Sequence, residues 1–290
     1  MKAIISHDIN HITVSEHLLR DLSVPKFLLR SNAELLMGKI AMKEYMARWT
    51  DFFKDKWQNI DELVTYNNVK QIPSSFFVGV NKGFTLNYSN AAAVIWMEQV
   101  INRGCELNLY GINFEEKEEI KNERELFFKL SKLEPSGIRI HNLHNNQSTL
   151  FNLNAAGYKF DSTMHAFENP YKVGDMWEMP FQIMDGWIIE NGKKWQSSNF
   201  SEAKERTKKQ IEKAQKHHLK YLGIVFHDRY FSNSFKTWLD WYFWLTEYLD
   251  ENKIEFINFK EALAELNESE KKEYKLSETQ KISNPKPEIL

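Results

Sequence analysis

The sequence predicts an α/β protein in which strands and helices alternate and close into a deformed (β/α) barrel of seven or eight strands. Short runs rich in Ile, Val and Phe alternate with segments whose apolar residues recur at three- and four-residue spacing. Six runs also end on a polar residue able to do chemistry: Asp8, Tyr110, Arg139, Asp161, Asp185 and His227. Because the carboxyl ends of parallel barrel strands converge at one mouth, these residues predict a single site.

The strand candidates are too continuously apolar for a sheet with one solvated face. In chain order they cover residues 3–8, 74–80, 105–110, 137–143, 159–162, 178–184, 221–227 and 255–259. Residues 33–54, 91–103 and 115–132 predict helices. The basic segment 201–220 has interleaved glutamates and a thin apolar stripe, which favours a solvated helix over a phosphate or nucleic-acid site. The aromatic segment 230–249 has the spacing of a helix packed on the barrel wall.

Length and composition favour a single domain whose net charge is close to zero. The chain has 290 residues, of which 38 are basic and 40 acidic, and a formal charge of −2. We therefore expect a neutral or locally selected small ligand and no nucleic-acid partner. Residues 1–265 predict the barrel, and residues 266–290, rich in Glu, Lys and Ser, predict a mobile polar tail. The single Cys105 excludes an intrachain disulfide and a Cys-based zinc site.

The location is expected to be cytoplasmic. The first residues lack the features of a signal peptide, which are a basic start, an apolar stretch and a cleavage site of small residues. No apolar run reaches the length of a membrane span. We therefore expect no integral membrane segment. The sequence predicts no particular oligomeric state.

Four strand-end residues have chemical roles open to them. Asp8 and His227 are a possible base and acid, Arg139 could hold a carboxylate or an oxyanion, and Asp161 could orient another polar side chain. Each residue alone is more often structural, as a helix cap, an ion-pair partner or a buried hydrogen-bonded histidine. Their joint placement at the strand ends favours a catalytic site.

The chain resembles the polysaccharide deacetylase family, the NodB-homology or carbohydrate esterase family 4 barrel, in its branch found with envelope polysaccharide genes. The motifs that carry the resemblance stand in family order between residues 3 and 259. They are SHDIN at 6–10, IPSSFFVG at 72–79, ELNLYG at 106–111, GIRIHNL at 137–143, AGYKFDST at 156–163, WEMPFQIMD at 177–185 and IVFHD at 224–228.

The resemblance implies catalytic roles for Asp8 as base, Arg139 as the family arginine, Asp161 in the fourth motif and His227 as acid. We expect substrate contacts from polar and aromatic residues around the strand ends, namely His7, Tyr110, His141, Asp185, Tyr230 and Phe231. The family's metal ligands, one Asp and two His, are replaced by Asn10, Tyr110 and Phe114. Neutral amide, phenol and phenyl groups cannot repay the dehydration of a divalent ion, so no metal or other cofactor is expected there.

Three interpretations follow for a protein acting on an N-acylated sugar or glycan precursor in envelope polysaccharide biosynthesis. The chain could be a metal-independent amide hydrolase in which Arg139 and backbone amides stabilise the oxyanion, as the family's metal-free, allantoinase-like members suggest. It could bind a glycan or nucleotide sugar without turnover. It could also hold zinc at a displaced site of His7, His11, His141 and His144, although the strand alternation disfavours this.

Overall fold

A computed structural model describes residues 1–17, 22–193 and 195–283. Over these residues nine strands form one sheet in the order β6-β7-β5-β4-β3-β2-β1-β9-β8. The strands are β1 (Lys2–Ile9), β2 (Ser74–Val78), β3 (Glu106–Gly111), β4 (Gly137–Ile140), β5 (Phe160–Asp161), β6 (Tyr171–Val173), β7 (Met176–Glu178), β8 (Ile183–Met184) and β9 (Tyr221–Val225). All pairings within the sheet are parallel except that of β6 with β7.

The sheet curls so that its two sides approach each other. His165, beyond β5, forms an isolated parallel bridge with Phe181, which precedes β8. The Phe181 N–H donates to the Met164 carbonyl at 3.0 Å. This short bridge is the link between the β5 side and the β8 side in the described chain, so the strands form an incomplete barrel. The predicted deformed (β/α) barrel is confirmed.

Ten helices surround the sheet in the described part of the chain. They are α1 (Ser23–Leu36), α2 (Met42–Phe53), α3 (Ile60–Val69), α4 (Asn90–Asn102), α5 (Lys117–Ser131), α6 (Thr149–Ala155), α7 (Asp185–Ile189), α8 (Phe200–Lys216), α9 (Lys236–Glu251) and α10 (Phe259–Ser283). Within these described residues no helix combines the length and the apolar character needed to span a bilayer.

The predicted helix over residues 33–54 is two helices. α1 ends in a left-handed turn, in which Gly38 has a φ of +66°. The Lys39 and Gly38 N–H groups donate to the Glu34 and Leu35 carbonyls, which is the bonding of a Schellman cap. A glycine relieves the steric conflict that other residues meet at such a φ, so the helix ends there.

The predicted strand 178–184 is also wrong as a single element. β7 ends at Glu178 and β8 begins at Ile183, with Pro180 between them. Proline has no N–H to donate to a strand ladder, so it separates the two elements. The predicted strand 255–259 contributes only an isolated bridge from Phe256 to Ala3 before α10 begins.

The polar segment predicted as a tail begins as a docked helix. α10 runs to Ser283, and Glu265 accepts hydrogen bonds from Lys2 at 2.6 Å and from Tyr221 at 2.8 Å. Asn267 accepts one from the Trp177 indole at 3.0 Å. The boundary predicted at residue 266 therefore falls inside a helix. Residues 284–290 lie outside the described residues, and the mobility of the tail stays a prediction.

The core lies between the sheet and the helices. The aromatic helix α9 buries Trp238, Trp241, Tyr242 and Leu245 completely, as its spacing predicts. The basic helix α8 buries Ala203, Ile211 and Ala214 and exposes most of its charged residues, as predicted for a solvated helix. This packing holds the carboxyl ends of the parallel strands at one mouth.

Candidate active site

An ion pair joins Asp8, near the end of β1, to Arg139 on β4. Asp8 Oδ1 lies 2.6 Å from Arg139 Nη1, which also donates to the Ser6 hydroxyl at 3.0 Å. Arg139 Nε and Nη2 donate to the Ser162 carbonyl at 2.8 Å and its hydroxyl at 3.0 Å. The second oxygen of Asp8 accepts no hydrogen bond from the described residues. Arg139 thus fixes one Asp8 oxygen and leaves the other, largely buried oxygen without a hydrogen bond from the described residues.

Arg139 itself has no open surface. Its side chain is 0% exposed, and its guanidinium lies 4.3 Å from the Phe77 ring centroid and 5.6 Å from that of Phe181. Each of its three nitrogens already donates to a protein oxygen. The prediction that Arg139 stabilises an oxyanion is therefore wrong. Arg139 is a positioning residue for Asp8.

A second pair joins His227, which follows β9, to Asp185 at the start of α7. His227 Nδ1 donates to Asp185 Oδ1 at 2.9 Å, and the His227 N–H donates to Oδ2 at 2.7 Å. Burial alone would lower the pKa of His227, but the charge of Asp185 and its hydrogen bond outweigh burial and raise the pKa to about 9. His227 therefore carries a proton at neutral pH. Its Nε2 has no partner among the described residues.

Asp185 is fully buried, and both of its oxygens accept backbone or imidazole donors. Its expected contact with substrate is corrected to a positioning role for His227. The relation is that of a carboxylate that fixes the tautomer and orientation of a histidine.

A cavity of about 220 Å³, here named the mouth cavity, opens beside this pair. Its lining includes Asn10, Glu190, His227, Arg229 and Tyr230. Asn10 Oδ1 is buried without a hydrogen-bond partner in the described chain. An unsatisfied buried acceptor is costly, so the amide favours a donor from a ligand or water at this position. Tyr230 is placed at the mouth as predicted, and its role in binding stays a prediction.

Asp161 does not belong to this cavity. Its carboxylate accepts hydrogen bonds from the Thr163 hydroxyl at 2.7 Å and the Thr163 N–H at 3.2 Å. Asp161 on β5 stands opposite Glu178 on β7 in the sheet register. Burial raises the pKa of both carboxyl groups, and the charge of Asp161 raises that of Glu178 further. The predicted catalytic role of Asp161 is corrected to a structural one, because this pair fastens β5 to β7.

His7 points to the opposite side of β1 from Asp8. Its Nδ1 donates to the Phe226 carbonyl at 2.9 Å, and its Nε2 accepts from the Asn67 amide at 3.0 Å. Burial lowers the pKa of His7 to about 4, so the ring is neutral. Successive side chains of a strand face opposite ways, and Ser6 and Asp8 take the mouth side. The prediction that His7 binds substrate is wrong.

Three further predicted contacts have little open surface. Tyr110 and His141 are 4% and 3% exposed and pack edge to face, with ring centroids 4.9 Å apart. His141 Nε2 donates to the Phe84 carbonyl at 2.8 Å. Phe231 packs into the core against Tyr66, with centroids 5.6 Å apart. These three side chains are largely buried and make packing contacts, and their predicted contacts with substrate stay predictions.

No family profile matches the sequence, and no curated protein matches it either. Solved structures do match. A protein from Mycobacterium smegmatis assigned to the polysaccharide deacetylases superposes with a TM-score of 0.62 at 12% identity, over 93% of this chain and 91% of that one. One from Pseudomonas aeruginosa with the same assignment gives 0.58 at 10% identity, over 91% and 89%. PuuE allantoinase gives 0.58 at 12% identity, over 91% and 88%.

The fold is that of the polysaccharide deacetylases. At these identities the likeness concerns the fold alone. It agrees with the resemblance that the motifs predict. The residues of this chain at the family's metal position can therefore be examined for their ability to bind a divalent ion.

A divalent metal does not fit the residues at the polysaccharide-deacetylase metal position. Asn10 offers only a neutral amide, and Phe114 has no donor atom. Burial raises the pKa of the Tyr110 phenol well above its usual range, so it does not supply a phenolate. A divalent ion needs anionic or imidazole ligands, and this set has none.

The alternative zinc site built from four histidines, His7, His11, His141 and His144, is not supported by their positions. His7 faces the helices, His11 Nδ1 lies 2.9 Å from His17 Nε2, and His144 stacks on Phe114 with centroids 5.5 Å apart. Across residues 1–17, 22–193 and 195–283 no three His, Cys, Asp or Glu side chains form a group suited to a metal ion. The four histidines therefore do not converge.

Sequence reasoning missed Ser6, Ser162 and Arg229. Ser6 stands two residues before Asp8, so strand alternation could have placed it on the same face. Ser162 follows Asp161 directly, and its contact with Arg139 depends on the curl of the sheet. Arg229 lines the mouth cavity next to His227, and no local pattern signals that position.

Proposed function

We propose that the protein hydrolyses the amide of an N-acylated sugar without a divalent metal, with Asp8 as general base and His227 as general acid. The observation that carries the proposal is the pairing of each group with a buried partner at the carboxyl ends of the adjacent strands β1 and β9. Arg139 orients Asp8, and Asp185 orients and charges His227. A base and an acid held in opposite protonation states are the requirement of amide hydrolysis.

The reaction balances with these two groups. Water attacks the acyl carbon and gives a proton to the second oxygen of Asp8, while His227 Nε2–H stabilises the oxyanion that forms. The oxyanion then restores the carbonyl as the C–N bond breaks, and His227 protonates the departing amine. The products are a carboxylic acid and a free amino sugar. Return of the Asp8 proton to His227 through water restores both groups.

Asn10 fits substrate positioning. Its unpartnered Oδ1 is a suitable acceptor for the N–H of an acylamino group or for the attacking water. A monosaccharide-sized group in the mouth cavity would then lie between Asn10 and His227. A nucleotide- or lipid-linked sugar precursor, a place in envelope polysaccharide biosynthesis and a cytoplasmic location are further parts of the proposal, and they rest on the motif resemblance.

Binding without turnover is the second candidate. It is favoured by the absence of metal donors at the family position and by the burial of Asp8, which is 2% exposed. In that case the polar pairs would select the ligand, and no base would reach water.

The distinguishing experiment is an amine-release assay. Wild-type protein is incubated with N-acetylated monosaccharides and with their phosphate- and nucleotide-linked forms, and free amine is measured with a fluorogenic reagent. Hydrolysis requires amine from at least one compound, with loss in His227→Gln and retention in His217→Gln, an exposed histidine at the end of α8. Calorimetric binding of at least one of these compounds, with no amine released from any of them, supports the binding candidate and contradicts hydrolysis.

A further inference from the structure

Arg229 lies at the junction of two cavities. It lines the mouth cavity and also a larger one of about 490 Å³, here named the side cavity, which is bounded by α1 and the segment after β9. His11 and Tyr230 share this junction. A ligand that occupies both cavities would therefore pass this junction of His11, Arg229 and Tyr230.

The guanidinium of Arg229 has no polar partner in the described chain. Among the described residues its nitrogens donate no hydrogen bond and form no ion pair; Nε is buried, while the residue as a whole is partly exposed. It is held instead by aromatic rings, lying 4.3 Å from the centroid of Trp57 and 4.9 Å from that of Phe27. Such rings hold a cation in place but leave its donors unused.

Two other arginines nearby, the buried Arg48 and the partly exposed Arg30, are paired with carboxylates. Arg48 pairs with Glu34 at 2.6 Å, and Arg30 pairs with Glu34 at 2.8 Å and Glu190 at 2.7 Å. Asp228, the neighbour of Arg229 in sequence, accepts from the Asn59 N–H instead. Burial, together with the charges of Arg30 and Arg48, lowers the pKa of Arg229 to about 10. Nε is a buried donor without a partner, and an oxygen of an anionic ligand would satisfy it.

The residues that line the side cavity suit a ligand whose anionic group lies at Arg229. Its described lining contains Lys26 and Arg30 and no carboxylate, and Phe27, Trp195, Tyr230 and Phe235 supply aromatic surface. Arg30 Nη2 is buried without a partner there. This arrangement suits a ligand with an anionic group at one end and an apolar or aromatic moiety beyond it.

A ligand that extends into both cavities needs an anionic group at Arg229 that is bonded to a substituent on each side. A carboxylate ends a chain, so it would fill one cavity only. A phosphodiester or diphosphate has substituents on both sides and can sit at Arg229 with one substituent in each cavity. Arginine matches the oxygens of a phosphoryl group with two parallel N–H donors.

We propose that Arg229, assisted by Lys26, forms a phosphoryl subsite that holds the phosphate or diphosphate of a glycosyl ester, with its non-sugar substituent in the side cavity. The placement of the sugar in the mouth cavity rests on the proposed function. The phosphoryl subsite itself rests only on Arg229 and the two cavities.

The test is binding of phosphoryl probes by calorimetry at two salt concentrations. Pyrophosphate, UDP and geranyl phosphate are compared with N-acetylglucosamine, which has no phosphate. We expect saturable, salt-sensitive binding of at least one phosphoryl probe, weakened at least about tenfold in Arg229→Gln and unchanged in Arg103→Gln, a control arginine outside both cavities. Tighter binding of UDP identifies a nucleotide as the side-cavity group, and tighter binding of geranyl phosphate identifies a lipid.

Two further variants keep the test decisive. Should Arg229→Gln fail to fold, Arg229→Lys and Lys26→Gln replace it, each with an expected loss of about threefold or more. Asp8→Asn separates this subsite from the proposed function, since it should bind phosphoryl probes as the wild type does even when no amine is released. Absence of saturable binding by the wild type, or equal affinity in wild type and the Arg229 and Lys26 variants, would overturn the subsite.

Discussion

Asp8 and Arg139 form an ion pair, 2.6 Å between Oδ1 and Nη1, although β2 and β3 separate their strands in the sheet. Neighbouring strands lie about 4.8 Å apart, so in a flat sheet three steps would separate these backbones by roughly 14 Å. The curl of the sheet brings the two side chains across the mouth. The ion pair thus forms because the sheet curls, and it in turn holds β1 and β4 in this curled arrangement.

The first prediction concerns the stability of this pair. Arg139→Met leaves the Asp8 charge buried without a partner, and we expect a loss of about 3–5 kcal/mol in the free energy of unfolding. Adding Asp8→Asn to that variant removes the stranded charge and should recover part of the loss. Urea denaturation of the single and double variants measures the coupling, with Arg103→Met, a partly exposed arginine paired with Asp61, as the control. Strictly additive effects would show that the two groups do not interact.

The second prediction concerns the pH dependence of stability through His227. Its pKa in the folded protein, about 9, is above the ordinary value of 6.5. Its contribution is therefore fully present below pH of about 6.5 and is lost as pH rises through about 9. We expect wild type to lose on the order of 1–3 kcal/mol more than His227→Gln between these limits. Parallel stability curves for the two proteins would refute the charged pair with Asp185.

The third prediction concerns the metal. Because Asn10, Tyr110 and Phe114 offer no anionic or imidazole donor, we expect far less than one zinc, cobalt or nickel per chain after a mild chelator wash. Elemental analysis by mass spectrometry checks this, and calorimetric titration of zinc into the washed protein gives a second measure. A tightly held equivalent of metal would contradict the account of the site.

The fourth prediction separates Asp161 from catalysis. Burial and the charge of Asp161 raise the pKa of Glu178, so Glu178→Gln, which is neutral and keeps a donor, should change the free energy of unfolding by less than about 1.5 kcal/mol. Asp161→Asn should leave the rate of amine release within about threefold of wild type once stability is matched. A loss of a hundredfold or more with an intact fold would return Asp161 to the catalytic set.

The fold could be predicted from sequence because its signals are local. The apolar runs that form β1, β2, β3, β4 and β9 are short, continuous and bounded by helical periodicity. The signals failed where one residue decides the outcome: Gly38 ends α1, and Pro180 separates β7 from β8. Both residues act through backbone geometry that hydrophobic periodicity does not register.

The site was only partly predictable because its roles depend on partners far apart in sequence. Asp8 and His227 could be placed at strand ends, but Asp185 was taken for a substrate contact before its pairing with His227 was visible. Strand alternation alone would have excluded His7. The lack of a partner for Arg229 is a property of the tertiary structure, and no sequence pattern expresses it.

The most direct test of the proposed function is amine release in buffer that contains a chelator. With the N-acylated sugar that the assay identifies, wild type and His217→Gln should release amine at equal rates with and without the chelator. Asp8→Asn and His227→Gln should each fall by at least about a hundredfold, because one lacks the base and the other the acid. Loss of wild-type activity on chelation, or full activity in Asp8→Asn, would contradict metal-independent hydrolysis by this pair.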